Sequence, residues 1–431
     1  MIQTNNLKDM KKKLIYFAAV ALVLAACSSE EPIAPPMVEN DAMGANPYRV
    51  SLTDALKNAD ALLGELGEGE TTRSAERKVE SVEYYSRPGT RALGGDTLLY
   101  LVNYADDAGF ALLSADSRLR PIYAISDEGS MSFSDTTYNK GLALFARGVE
   151  ADVENAIASS PSISFPIDSL ILMRRVIREV KPLLNYYQSR WNQTYPYNQY
   201  CFTADGSSAY VGCTAVAVGM IMSYYEHPTS YAGYTFDWDA MNSGQNYENI
   251  ARLLRLLGDN NNLQMDYGAI ADREGSSAYP SRYYPTFSNM NYSNHNQLQT
   301  FSEEDVCELL DNSQENPLFR TGPVLVRGNG YDEVKDEYFG HGWVVDGYVQ
   351  YETMSPIVGQ GYILEDILFH CVWGWGGACN GYFFWAKTNS FGGSPHEFGP
   401  NDSDQDTGYV FDTNIQYMGG FRKVYPFNPN L

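Results

Sequence analysis

Histidine, cysteine and positive charge are all scarce in this sequence. Five histidines and six cysteines occur in 431 residues, and 30 Lys and Arg face 53 Asp and Glu, for a formal net charge of −23. A surface this acidic repels phosphate, which argues against nucleic acid as a partner. Six cysteines in a chain of this length do not make a disulfide-stapled miniprotein. No Cys-x2-Cys or His-x3-His pair occurs, so the spacing of a zinc site is missing, and no metal or cofactor is expected. Long apolar runs of the ~20 residues that a spanning helix needs are also missing. What is present is 44% hydrophobic and 13% aromatic residues, too apolar for a disordered chain. The length allows two or three domains of ~100–200 residues each, and 33 Tyr with 37 Gly suit a β- and loop-rich exported protein.

The N-terminus carries an export pattern. Lys11, Lys12 and Lys13 precede an apolar run from Leu14 to Ala26, and Cys27 follows with Ser28, Ser29, Glu30 and Glu31. A basic start, a short apolar stretch and small residues before the cut describe a secretory signal. Leu24-Ala25-Ala26-Cys27 resembles a bacterial lipobox, which implies a signal over 1–26 and Cys27 as the lipidated residue that ties the chain to a membrane. The competing reading is an ordinary signal that leaves Cys27 unmodified. Loss of residues 1–26 removes four lysines and one aspartate and takes the formal charge from −23 to −26. Residues 27–47 read as a flexible tether. The expected location is the outer membrane or cell surface, with release of the mature form.

Two blocks follow. The first, 48–175, shows strand patterns at Thr97–Tyr104, Gly109–Ser114 and Pro121–Ile125, with Asp106-Asp107-Ala108-Gly109 as a hairpin turn. Leu142, Phe145, Val149, Val153 and Ile157 are spaced for a helix over 141–158. This block has neither Cys nor His, so it lacks the usual nucleophile and base, and a pro-domain, inhibitor or adhesion module fits it best. Arg174, Arg175, Arg178 and Lys181 then alternate with Val176, Ile177 and Val180, read here as an amphipathic helix with a basic face that doubles as an exposed processing linker. The second block, 176–431, holds five of the six cysteines, all the histidines and all six tryptophans. Helix 251–257 stopped by Gly258, with strands at 323–327, 343–348, 364–372 and 381–387, gives an α+β class.

The chemistry concentrates in three stretches. Gly212-Cys213-Thr214-Ala215 opens an apolar helix that ends before Pro228; a helix apolar on every side is buried. Cys213 at its N-terminal end has a thiolate favoured by the helix dipole and free backbone N–H groups, against the alternative of a buried structural cysteine. A nucleophilic cysteine needs a base. His341, in Gly340-His341-Gly342 at the start of a strand, lies 128 residues downstream, near the ~130–150 of papain-like enzymes; the competing reading is a surface histidine in a glycine turn. His227 reads as a cap, His295 and His396 as loop residues, and His370 as a core or edge residue. Trp373-Gly374-Trp375-Gly376-Gly377 forms a rigid apolar wall able to shield a Cys–His pair. Disulfides Cys371–Cys379 or Cys201–Cys307 are conceivable in an exported chain.

These residues, with Trp191-Asn192-Gln193, Pro196-Tyr197-Asn198, Met265-Asp266-Tyr267-Gly268 and Asp346-Gly347, occur in the order and spacing of a known family. The second block resembles the streptopain family of bacterial cysteine proteinases and its lipoprotein relatives over most of residues 181–400. The strand pair around Gly109-Phe110 and Ser114-Ala115-Asp116 resembles the pro-domain of those zymogens. The resemblance implies a papain-like domain behind a small α+β pro-domain, with Cys213 as nucleophile and His341 as base. Gln193 and the Cys213 backbone N–H would form the oxyanion hole, and Trp373 would support the histidine. Trp375, Gly340 and Gly342 would line the cleft, and Arg174, Arg175 and Arg178 would mark where the pro-domain is removed. One position departs: the family has Asn before Trp373, and this chain has Val372. Trp373 or a backbone carbonyl is then the candidate to orient His341.

The expected function is a secreted lipoprotein zymogen of a cysteine endopeptidase, with peptide substrates and its own pro-domain as intramolecular inhibitor. A non-enzymatic adhesin or glycan-binding lipoprotein, suited by the many Tyr, Trp and Asn, and a papain-like acyl transferase are the competing readings.

Overall fold

The computed structural model describes residues 48–66, 77–86, 97–133, 140–159, 173–271, 275–293, 297–314, 321–332, 337–354, 363–385 and 415–423. The signal, the tether, Cys27, His295 and His396 lie outside them. Helices are α1 (Leu52–Leu66), α2 (Lys140–Ser159), α3 (Cys213–Tyr225), α4 (Trp238–Asn242), α5 (Tyr247–Leu257), α6 (Tyr283–Asn289) and α7 (Glu303–Asp311). Strands are β1 (Val79–Ser86), β2 (Thr97–Tyr104), β3 (Phe110–Ser114), β4 (Ile122–Ser126) and β5 (Met173–Val180). Short β6 (Ser230–Tyr231), β7 (Tyr234–Thr235), β8 (Tyr292–Ser293) and β9 (Gln299–Thr300) follow. The chain continues through β10 (Val324–Asp332), β11 (Glu337–Met354), β12 (Ile363–Val372), β13 (Gly381–Phe383), β14 (Gln416–Met418) and β15 (Arg422–Lys423).

The α+β class holds, and the two blocks share one sheet. Its eleven strands run β1-β2-β3-β4-β13-β12-β11-β10-β14-β9, with β5 beside β11. The join is β4 against β13, where Tyr382 faces Ile125 and Phe383 faces Ala124. α2 packs Leu144 and Phe145 on one face of this sheet with Trp343, Phe383 and Trp385. α3 packs on the other, with Leu325, Val344 and Val372 beneath it. Neighbours in a strand point to opposite faces, so Leu325 and Val326 belong to different cores. α3 is buried along nearly its whole length, as an apolar sequence with no polar face requires.

The basic segment departs from the expected helix. Residues 173–180 form strand β5, not a helix, with Tyr348 opposite Val180 and Tyr351 opposite Val176. The β-branched Val176, Ile177 and Val180 favour an extended backbone, and the C-terminal half of the long β11 supplies the partner. Arg175 pairs with Glu352 and Arg178 with Asp311, and both arginines remain exposed. The division after residue 175 falls inside this strand.

Polar bridges cross the join. Arg120 donates to Asp152 and to Asp366 of β12 at 2.5 Å and lies over the Phe384 ring. Arg190 pairs with Glu128. His370 is buried between Asp346, at 2.6 Å from Nδ1, and Asp127 of the first block, at 3.6 Å from Nε2. Burial disfavours its charged form, but the two carboxylates outweigh this and lift it from 6.5 to about 9. A histidine raised on folding stabilises fully below its ordinary value and loses that contribution as pH rises through the folded value. The melting temperature of the uncut chain is therefore expected to fall between pH 6.5 and about 9, and His370→Gln to flatten that limb. Calorimetry across this range checks it; an equally steep decline in the variant would contradict it.

Candidate active site

Gly212, at φ +93°, turns the chain into α3 in a conformation that disfavours side chains. It leaves Cys213 as the first helical residue, half-buried. The Gly342 N–H points at its sulfur, 3.4 Å away. Burial alone would raise the thiol; the adjacent His341, the Gly342 N–H and, more weakly, Lys140 overcome this and bring it down from 9.0 to about 7. The other described cysteines are free and buried, so neither conceivable disulfide forms.

His341 lies inside β11, four residues after its start, not at the strand's beginning. Its Nε2 lies 3.0 Å from the Trp373 carbonyl. A carbonyl only accepts, so Nε2 carries the proton and Nδ1 is left for the Cys213 thiol. Val372 is buried in the core under α3, opposite Val344. The backbone of the next residue thus holds the imidazole, one of the two substitutes that Val372 suggested. The Trp375 ring lies nearly parallel to the imidazole, centroids 6.3 Å apart, and the Trp373 ring is 6.0 Å away.

Gln193 is 4% exposed, and its Nε2 is buried without a hydrogen-bond partner among the described residues. Such an unspent donor is costly to bury unless something arrives to accept from it. Of the three expected cleft residues, Gly340 is exposed, Trp375 is half-buried and Gly342 is buried against Thr214. Among the described residues no cluster of three His, Cys, Asp or Glu could hold a metal ion.

Three features have no signal in the sequence. Asn380 accepts from the Trp373 N–H at 3.1 Å and donates to the Ser189 carbonyl at 3.1 Å, tying the histidine's support to the loop that leads to Gln193. The start of α2 lies over the site: a Cβ on Gly141 would come within 2.8 Å of His341 Cδ2. Tyr283 of α6 meets Thr214 Oγ1 at 3.0 Å.

Residues 191–383 match the Peptidase C10 family, and residues 48–153 match the Spi protease inhibitor family. The chain is similar to the thiol protease/hemagglutinin PrtT of Porphyromonas gingivalis, 23% identical over 325 residues, with 67% of this chain and 34% of that protein covered. It therefore spans about a third of that relative. Similarity to streptopain of Streptococcus pyogenes is 25% over 343 residues, with 68% of this chain and 75% of streptopain covered. Among solved structures, a prointerpain A fragment of Prevotella intermedia aligns at 20% identity and TM-score 0.48, with 81% of this chain and 100% of the fragment covered.

Proposed function

Because this chain belongs to the streptopain family of cysteine peptidases, peptidase family C10, we propose that it is the lipoprotein zymogen of a cysteine endopeptidase. Cys213 thiolate attacks the peptide carbonyl. The oxyanion accepts from Gln193 Nε2 and the Cys213 backbone N–H, and loss of one such donor typically costs about 3 kcal/mol. Protonated His341 gives its proton to the leaving amine. Water, deprotonated by the same imidazole, then hydrolyses the thioester. The observation that carries this reading is a thiol lowered to about 7 beside an imidazole fixed by a carbonyl, and the unspent Gln193 donor supports it.

Residues 48–175 act as the inhibitory pro-domain on this reading, and α2 supplies the inhibitory contact. Arg174, Arg175 and Arg178 mark the processing region; a cut among them requires the start of β5 to leave β11. Cys27 carries the lipid that holds the chain at the outer membrane or cell surface. Mass spectrometry of the matured protein after labelling with a thiol-reactive epoxide tests these assignments together. Label on Cys213, lipid on the Cys27 fragment and a mature N-terminus between Asp168 and Gln193 are expected. A start outside that window, or label on another cysteine, would overturn them.

A further inference from the structure

β10 carries its residues alternately to the two cores, and Leu325 faces α3. Arg327 is next on that face, where the strand passes the N-terminal end of the helix. It sits in register with Gly342, whose N–H points at Cys213 Sγ. Paired strands lie about 4.8 Å apart, so a side chain of this length on Arg327 is within reach of the ground beside the nucleophile. Its Nη1 donates to Gln416 at 2.6 Å and its Nη2 to Asn329 at 2.7 Å. It also reaches the Tyr283 hydroxyl, itself bonded to Thr214 and close to Cys213.

All of these partners are neutral. Elsewhere Arg118, Arg120, Arg190 and Arg252 each hold a carboxylate, as expected in a chain with 53 acids and 30 bases. Among the described residues no carboxylate pairs with Arg327, which is only half-buried. Lys140, the lysine that acts on Cys213, belongs to the block that activation removes on the reading above, whereas Arg327 belongs to the second block. A guanidinium held by neutral acceptors keeps its charge and part of its donor fork for a planar anion.

We propose that Arg327 is a specificity-determining residue that receives the carboxylate of a substrate Glu or Asp within two residues of the cleaved bond. Asn329, Gln416 and Tyr283 form the polar frame that aims it. The assignment rests on the peptidase reading above. Two residues of extended peptide span about 7 Å, in keeping with one strand spacing plus the reach of the side chain.

The test uses the activated enzyme and peptide pairs that differ only by Glu against Gln at each position within two residues of the cleaved bond. At one position kcat/KM is expected to favour Glu by roughly tenfold or more, the usual range for a hydrogen bond to a charged group. That ratio should shrink with added salt. Arg327→Gln should bring it close to one, Arg327→Lys should keep part of it, and Arg327→Glu should turn the preference towards Lys. Cleavage with no preference for Glu at any position, measured on the unaltered enzyme, overturns the assignment without any variant. So does a preference that survives Arg327→Gln. Absence of both cleavage and Cys213 labelling would remove the peptidase reading and this one with it, an outcome distinct from cleavage without charge preference.

Discussion

A Cys213→Ala chain is expected to hydrolyse peptides no faster than background, a fall in kcat of about 10⁴-fold or more, on the scale seen when a catalytic nucleophile is removed. No other described cysteine can take over. Burial pushes Cys201 and Cys379 up to about 11 and Cys307 up to about 12, and raises Cys371 further. Each is a protonated thiol at neutral pH, and among the described cysteines only Cys213 is lowered. The same contrast sets the pH profile. Below about 7 the Cys213 thiol keeps its proton, so kcat/KM of the active form should fall as pH drops through that value. Lys140 makes the smallest of the lowering contributions, so if residues 48–175 are removed as proposed, the limb should move slightly upward. Steady-state kinetics of the purified variant, with intact mass to exclude contamination, is the check. Activity retained by Cys213→Ala would show that the nucleophile lies elsewhere.

The parts of the fold that were readable from sequence depend on local pattern. The apolar run after Cys213 admits only a buried helix, and the turn at Asp106–Gly109 does join β2 to β3. Gly258 closes α5 as its cap. The basic segment failed because arginines and β-branched residues alternate closely enough to suit either a helix face or a strand, and only β11, some 170 residues away, decides. The fusion of the two blocks through β4 and β13 is non-local in the same sense. Cys213 and His341, which the structure brings together, carry their chemistry in their side chains and could be named as a candidate pair. The group that orients His341 is a main-chain carbonyl, which every residue has, so Val372 could say only that a substitute was needed. Asn380 before a glycine looks like any turn residue. Arg327 looks like any strand cation until its neighbours are seen to be neutral.

Gly141→Leu is expected to expose the site in the uncut chain. A Cβ at this position would come within 2.5 Å of Trp373 Cζ3 and 2.8 Å of His341 Cδ2. Neither neighbour can yield. Trp373 is fully buried, gives its Nε1–H to the Cys379 carbonyl, and packs against Trp343 and Phe383. His341 is held by the Trp373 carbonyl. The start of α2 must therefore lift. Overpacking of this kind costs about 1–3 kcal/mol, which corresponds to roughly 5–150-fold in the population of the open form. Labelling of Cys213 by a small epoxide, followed by intact mass on uncut protein, should speed up by a factor in that range. Helix propensity acts the other way, since replacing a helical glycine favours the helix by up to about 1 kcal/mol. Faster labelling would thus reflect the contact and not a weakened helix. Gly148 on the same helix has nothing within 4 Å of its Cβ position, so Gly148→Ala shares the propensity gain and should leave labelling unchanged. If Gly141→Leu folds, as judged by circular dichroism, and labels no faster than Gly148→Ala, α2 does not guard the nucleophile.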